Sequence, residues 1–180
     1  MGKLIILVGQ AASGKSTLAK HLVENHGFTQ IKTITTRPIR PGERPDAYNF
    51  VTKAQFSEIA DSGEIAEFTS YPVAGGDIWY YGSLKSSYES DGDKVVVLNP
   101  HGMSMIRQAY PEAMCVYLKA PLEVLIRRGL DRGDDPVELC RRLITDASTF
   151  RALESWGGRL LVFEHKEGWS VTDICEWMGV

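Results

Sequence analysis

This sequence has few cysteines, no long apolar run near its N-terminus and no excess of basic residues, and each of these features excludes a class of protein. Its three cysteines, Cys115, Cys140 and Cys175, are odd in number and widely spaced, so they predict a reducing compartment, the cytoplasm, and no disulfide framework. The N-terminal apolar run, Leu4–Val8, is too short for a signal-peptide core or a membrane span. Lys and Arg total 20 against 23 Asp and Glu, which leaves a net charge of −3 and no overall basic surface. We therefore expect neither a membrane partner nor a nucleic-acid partner.

The overall composition is that of an ordinary globular protein. Of the 180 residues, 43% are hydrophobic and 24% are charged. A chain of this size buries enough apolar surface to fold without disulfides or a structural metal. We expect one domain, 1–180, with room for a small insertion.

Short apolar runs alternate with helical patterns along most of the chain. The runs at 4–8, 95–98, 114–118 and 160–163 are continuous, which is typical of strands buried on both faces of a parallel sheet. Helices are predicted at 15–25, at 137–154 and from Ser170 to the C-terminus, because apolar residues recur there at helical spacing. Strands alternating with helices predict an α/β fold with a parallel sheet flanked by helices.

The segment 33–92 has a different pattern. It opens with a loop rich in proline and arginine, continues through a short helix with Thr52 and Gln55 as a capping pair, and ends in aromatic strands. We interpret it as a small, mostly β insertion into an α/β core formed by 1–32 and 93–180.

Directly after the first apolar run, the residues GQAASGKST match the phosphate-loop pattern G-x-x-x-x-G-K-[ST]. Backbone amides of such a loop, and the helix that begins there, face phosphate oxygens. Lys15 is expected at the β- and γ-phosphates of ATP, and the Ser16 hydroxyl at Mg²⁺. The predicted ATP-phosphate residues are Gly9, Gln10, Ala11, Ala12, Ser13, Gly14, Lys15, Ser16 and Thr17.

The phosphate loop does not identify the reaction, but other features of the sequence exclude some of the enzyme classes that carry such a loop. The D-x-x-G and N-K-x-D patterns of GTP switches are both missing from the sequence, and the run at 95–98 ends in Asn99 where many ATPases carry an acid. Arg37, Arg40 and Arg44 are interspersed with prolines, and a restrained loop with several guanidinium groups suits a second phosphate. A kinase of a small phosphorylated substrate is favoured.

The sequence resembles the guanylate kinases. The resemblance rests on GQAASGKST, TTRPIRPGE with AYNFV, GEIAEF, YYGS and the stretch RRGLDRG…CRRL. It implies a nucleoside monophosphate kinase fold with a GMP-binding insertion and a short lid at about 128–142. It also implies Mg²⁺-assisted, direct transfer of the ATP γ-phosphoryl group to GMP or dGMP.

The resemblance also assigns residues. It implies that the acceptor phosphate is bound by Arg37, Arg40, Tyr48 and Tyr81. It implies that guanine is bound by Thr33, Glu67 and Ser83. A carboxylate at Glu67 can accept both the N1–H and the 2-amino group of guanine, and adenine lacks the N1–H. On the lid, Arg128, Arg132 and Arg142 are expected to join Lys15 as catalytic residues.

Some positions depart from the family pattern and leave alternatives open. Val97 and Asn99 stand where acidic residues are usual, the loop between Glu67 and Tyr81 is longer, and His101 is interpreted as a loop residue. A kinase of another or modified nucleotide, or of a phosphorylated sugar, fits the same scaffold. A catalytically inactive module that binds a protein ligand is disfavoured by the intact phosphate loop. The four tryptophans are compatible with a homodimer or with a simple core.

Overall fold

Two β-sheets organise the protein. The structure is a computed structural model that describes residues 2–39, 43–73, 76–156 and 160–180. The larger sheet has five parallel strands in the order β2-β7-β1-β8-β9. Its strands are β1 (Leu4–Val8), β2 (Thr29–Gln30), β7 (Lys94–Val97), β8 (Met114–Lys119) and β9 (Leu160–Glu164). The prediction of a parallel-sheet α/β fold is therefore confirmed.

Helices cover both faces of this core sheet, which explains why its strands are continuously apolar. Alternate residues of β1 enter opposite cores: Ile6 and Val8 pack on one side, Ile5 and Leu7 on the other, and all four are fully buried. The helices are α1 (Lys15–His26), α4 (Pro100–Ala109), α5 (Leu122–Asp131), α6 (Pro136–Arg151) and α7 (Val171–Met178). Within the described residues, none of the helices has both the length and the apolar character that crossing a membrane requires.

The insertion forms a second, four-stranded sheet in the order β4-β3-β6-β5. Its strands are β3 (Ile34–Thr35), β4 (Asn49–Phe50), β5 (Ile65–Pro72) and β6 (Ile78–Leu84), and its helices are α2 (Lys53–Asp61) and α3 (Ser86–Glu89). Thr52 and Gln55 cap α2 reciprocally, as the sequence predicts. The mostly β character of the insertion is confirmed.

One local prediction is wrong. His101 lies in the first turn of α4 and not in a loop. The helix begins there because the Asn99 side chain accepts a hydrogen bond from the Gly102 amide at 2.7 Å and Pro100 occupies the first helical position.

Candidate functional site

The phosphate loop joins β1 to α1. Gly14 caps α1 with φ of 100°, a left-handed conformation that favours glycine, and Ser16 and Thr17 are exposed in the first turn. The Lys15 ammonium donates to the carbonyl oxygens of Gly9 and Gln10 at 2.7 and 2.8 Å. The loop is thus curved around its own lysine at the N-terminus of a helix, the arrangement that binds phosphate.

Charged side chains of α6 and of the segment before it act on Lys15. Burial lowers the pKa of Lys15 to about 8, the Asp146 carboxylate opposes that shift, and Arg142 and Arg132 reinforce it. Two of the three predicted lid arginines therefore lie close enough to act on the phosphate-loop lysine. The third, Arg128, is placed elsewhere, with Nη2 3.4 Å from Nδ1 of His165.

Apolar contacts seat the lid helices on the loop. Ala11 packs with Leu125 of α5 and with Leu139 and Leu143 of α6 in one buried cluster. The two helices approach so closely that a Cβ on Gly129 would lie 2.4 Å from the Leu139 side chain. The short segment between α5 and α6 carries Arg132, which forms an ion pair with Asp134.

A buried carboxyl group occupies the insertion sheet. Glu67 on β5 lies directly opposite Ser83 on β6, and the Ser83 hydroxyl donates to Glu67 Oε1 at 2.8 Å. Glu67 is 4% exposed and Ser83 is fully buried. Tyr88 on α3 extends the network, with its hydroxyl 2.9 Å from Ser83 Oγ. The structure brings together two of the three predicted guanine residues, and it places the third, Thr33, half-buried just before β3.

The electrostatic state of Glu67 follows from its burial. Burial raises its pKa to about 7, and the hydrogen bond from Ser83 opposes the rise. At neutral pH this carboxyl group is thus poised between its charged and neutral forms, and such shifts concentrate at functional sites.

Gly102 in the first turn of α4 makes room for that carboxyl group. A Cβ at this position would lie 2.6 Å from Glu67 Oε2, closer than atoms can approach. The core helix α4 and the insertion strand β5 therefore meet at Glu67, and a Cβ at position 102 would force the Glu67 carboxyl group to shift.

We predict that Gly102→Ala displaces Glu67 and raises KM for the acceptor nucleotide about tenfold or more, the loss of roughly 1–2 kcal/mol of hydrogen bonding. Stability should change little, because alanine favours helix by up to about 1 kcal/mol and offsets the contact. Steady-state kinetics with a melting curve would check both, with Ser104→Ala on the same helix as the control. An unchanged KM would contradict the prediction that the methyl group displaces Glu67 from the acceptor.

The predicted acceptor-phosphate residues cluster around Arg37. This residue is 3% exposed, and its guanidinium forms a bidentate pair with Glu43, at 2.9 and 2.7 Å. It lies over the Tyr48 and Phe50 rings, 5.4 and 5.6 Å from their centroids. Burial alone would lower the pKa of Arg37, but Glu43 and the nearby tyrosines more than compensate, so the pKa is raised.

The other two arginines of the proline-rich loop differ from Arg37. Arg44 is exposed and bonds Asp46 at 3.1 Å, and Arg40 lies outside the described residues. A phosphate at Arg37 would compete with Glu43 for the guanidinium, because three of its five N–H donors are used in bonds to Glu43 and the Pro38 carbonyl.

Tyrosines line the space between the two halves of the site. The Tyr81 ring lies 6.3 Å from Tyr48 and 5.6 Å from Tyr71. The Tyr71 hydroxyl accepts from Asn99 Nδ2 at 2.9 Å. Asn99 thus bonds both α4 and the insertion, at a position where the sequence analysis expects an acid.

The sequence analysis assigns no role to Glu43, Tyr71, Tyr88 or Asp146, although all four lie in this site. A role for Tyr71 was detectable from the sequence. Tyr71 follows Glu67 by four residues, and the alternation of side chains along a strand places both on the same face. Asp146 lies four residues after Arg142 on α6, a spacing that puts both on one helix face. Tyr88 carries no such signal, because α3 has only four residues.

Comparison with known proteins gives one consistent result. A family model described as guanylate kinase matches residues 1–154. A guanylate kinase of Nostoc sp. is 37% identical over 150 residues, which are 79% of this chain and 73% of that protein. A guanylate kinase of Gloeobacter violaceus is 32% identical over 160 residues, 85% of this chain and 76% of that protein. The crystal structure of a guanylate kinase from Anaplasma phagocytophilum superimposes with a TM-score of 0.69 at 22% identity, covering 98% of this chain and 82% of that one, so the fold is shared.

Proposed function

This chain belongs to the guanylate kinase family, and from that premise we propose that it transfers the γ-phosphoryl group of ATP to GMP or dGMP. The observation that carries the proposal is the buried Glu67–Ser83 pair in a chain that also holds a complete phosphate loop. The Glu67–Ser83 pair has the chemistry to bind a guanine base, and the phosphate loop has the chemistry to bind a nucleoside triphosphate.

Recognition of the base follows from hydrogen-bond chemistry. An ionised Glu67 can accept from both N1–H and the 2-amino group of guanine. The Thr33 and Ser83 hydroxyls suit the O6 and N7 edge. Adenine would leave the buried carboxylate without a donor at N1, a loss that recognition sites penalise heavily.

Phosphoryl transfer of this kind needs alignment and charge neutralisation more than covalent chemistry. Lys15 and the amides of residues 9–17 are proposed to hold the triphosphate. Arg132 and Arg142 stabilise charge on the transferring group, and Arg128 joins them when the lid moves. Arg37, Arg40, Tyr48 and Tyr81 are proposed to orient the acceptor phosphate, with Glu43 giving way to it.

The loop residues fit Mg²⁺. This ion retains most of its waters and takes one or two protein ligands together with phosphate oxygens, so the exposed Ser16 hydroxyl is a sufficient protein donor. When bound, Mg²⁺ neutralises charge between the β- and γ-phosphates. We also propose a cytoplasmic location, since Cys115, Cys140 and Cys175 are all free thiols.

A nucleotide panel tests the proposal. ADP release is measured with ATP, Mg²⁺ and each ribo- and deoxyribonucleoside monophosphate in turn. We expect turnover of GMP or dGMP at least about 10³ times more efficient than that of AMP. Equal turnover of a non-guanine acceptor would contradict the base assignment, and turnover of no monophosphate would contradict the function.

A further inference from the structure

Asp146 on the lid helix α6 lies against the phosphate loop. Its Oδ2 accepts a hydrogen bond from the Ala11 amide at 3.3 Å. Burial raises the pKa of the Asp146 carboxyl group, and the Ala11 amide, Lys15, Arg142 and Arg141 oppose that rise. The charge of Asp146 also acts on Tyr71 on β5. Asp146 therefore lies among the donor loop, the lid and the acceptor sheet, where the phosphoryl group would pass.

The partner atoms of this carboxylate are those that bind phosphate. Loop amides and the lysine of a phosphate loop are arranged to face anionic oxygens. A carboxylate that accepts from one of these amides has the charge and the acceptor chemistry of a phosphate oxygen. Among the charges that act on Lys15, Asp146 is the one that raises its pKa, whereas Arg142 and Arg132 lower it.

We infer that Asp146 is a built-in anion of the phosphate loop, which balances Lys15 and Arg142 before ATP binds and then yields the Ala11 amide to the triphosphate. The inference rests on the proposed function only in taking ATP as the ligand of the loop. It makes Asp146 a positioning residue that weakens ATP binding. The carboxylate competes for the same donors and repels a like charge at close range.

Isothermal titration of ATP into the nucleotide-free protein, without GMP, tests this role. We expect Asp146→Asn to lower the Kd for ATP by about 3- to 30-fold, since the amide removes the charge and keeps the shape. The kcat should not rise in parallel, because Lys15 and Arg142 lose the group that holds them in place. Glu123→Gln is the control: it removes one exposed charge from the neighbouring helix α5 and should leave Kd unchanged.

A purely structural role for Asp146 predicts the opposite result. If ATP binds Asp146→Asn with unchanged or weaker affinity, the inference is overturned. Should that variant fail to fold, hydrogen exchange of wild-type protein decides. The Ala11 amide should be protected without nucleotide, and exchange at the rate of an exposed amide would overturn the inference. Because GMP is absent throughout, these outcomes are independent of whether GMP is the acceptor.

Discussion

Glu67→Gln should lower kcat/KM for GMP by at least about 10³-fold and leave the affinity for ATP unchanged. The amide can accept only one of the two donors on guanine, and its NH₂ group opposes the other, which leaves polar groups unpaired in a site that is 4% exposed. Steady-state kinetics with GMP and AMP, and ATP titration, measure the two effects. Glu64→Gln, an exposed acid beside the start of β5, is the matched control. A loss of less than tenfold would refute the assignment of Glu67 to the base.

The stability of the same variant, relative to that of the wild type, should rise with pH. Because the pKa of Glu67 rises from 4.5 to about 7 on folding, the folded state holds its proton more tightly than the unfolded state. Wild-type stability therefore falls, relative to Glu67→Gln, as the pH rises from about 4.5 to 7. Between the two ends of that range the wild type loses about 3 kcal/mol relative to the variant. Urea unfolding of both proteins at pH 5 and pH 8 checks it, and a difference that does not change with pH would contradict the shifted pKa. Function at this site is thus expected to cost stability.

Lys15→Met should reduce kcat by about 10³-fold or more, the scale of removing a preorganised positive charge from a phosphoryl-transfer site. The fold should survive, because the side chain is half-buried and methionine replaces its stem without a charge to desolvate. Single-turnover transfer at saturating ATP measures the chemical step.

Lys20→Met provides the comparison for Lys15→Met. Lys20 lies on the same helix and forms an exposed ion pair with Glu24 at 3.6 Å. Its loss should leave kcat unchanged. If Lys15→Met retained kcat within tenfold of the wild type, Lys15 would have no part in the transfer.

The core of this fold could be predicted because its signals are local. A run such as Leu4–Val8 is apolar at every position, which few structures other than a strand buried on both faces accommodate. Helix α4 was missed because its ten residues include Gly102, Ser104 and Pro100, and its buried stripe is short. Its N-terminus is capped by Asn99, which sequence alone does not separate from a loop residue.

The candidate site was predictable to the extent that each residue belongs to a motif. Lys15 is marked by the phosphate-loop pattern, and Glu67 by the family resemblance. The contact between Ala11 and Asp146 depends on tertiary structure that no local pattern encodes, since it joins residues 135 positions apart. Arg37 and Glu43 lie in one loop, six residues apart, but no motif marks them as a pair.

The pairing of β1 with β7 has a consequence for synthesis on the ribosome. Leu4 of β1 pairs with Lys94 of β7, which lies 90 residues later in the chain. The other neighbour of β1 is β8, which the ribosome synthesises later still. At about 5–20 residues per second, the first strand waits roughly 5–18 s for a partner after it is made. The insertion sheet, whose strands all lie between residues 34 and 84, can form during that interval. We expect the acceptor half to fold first on the nascent chain, with the apolar segment Leu4–Val8 exposed to chaperones until β7 emerges.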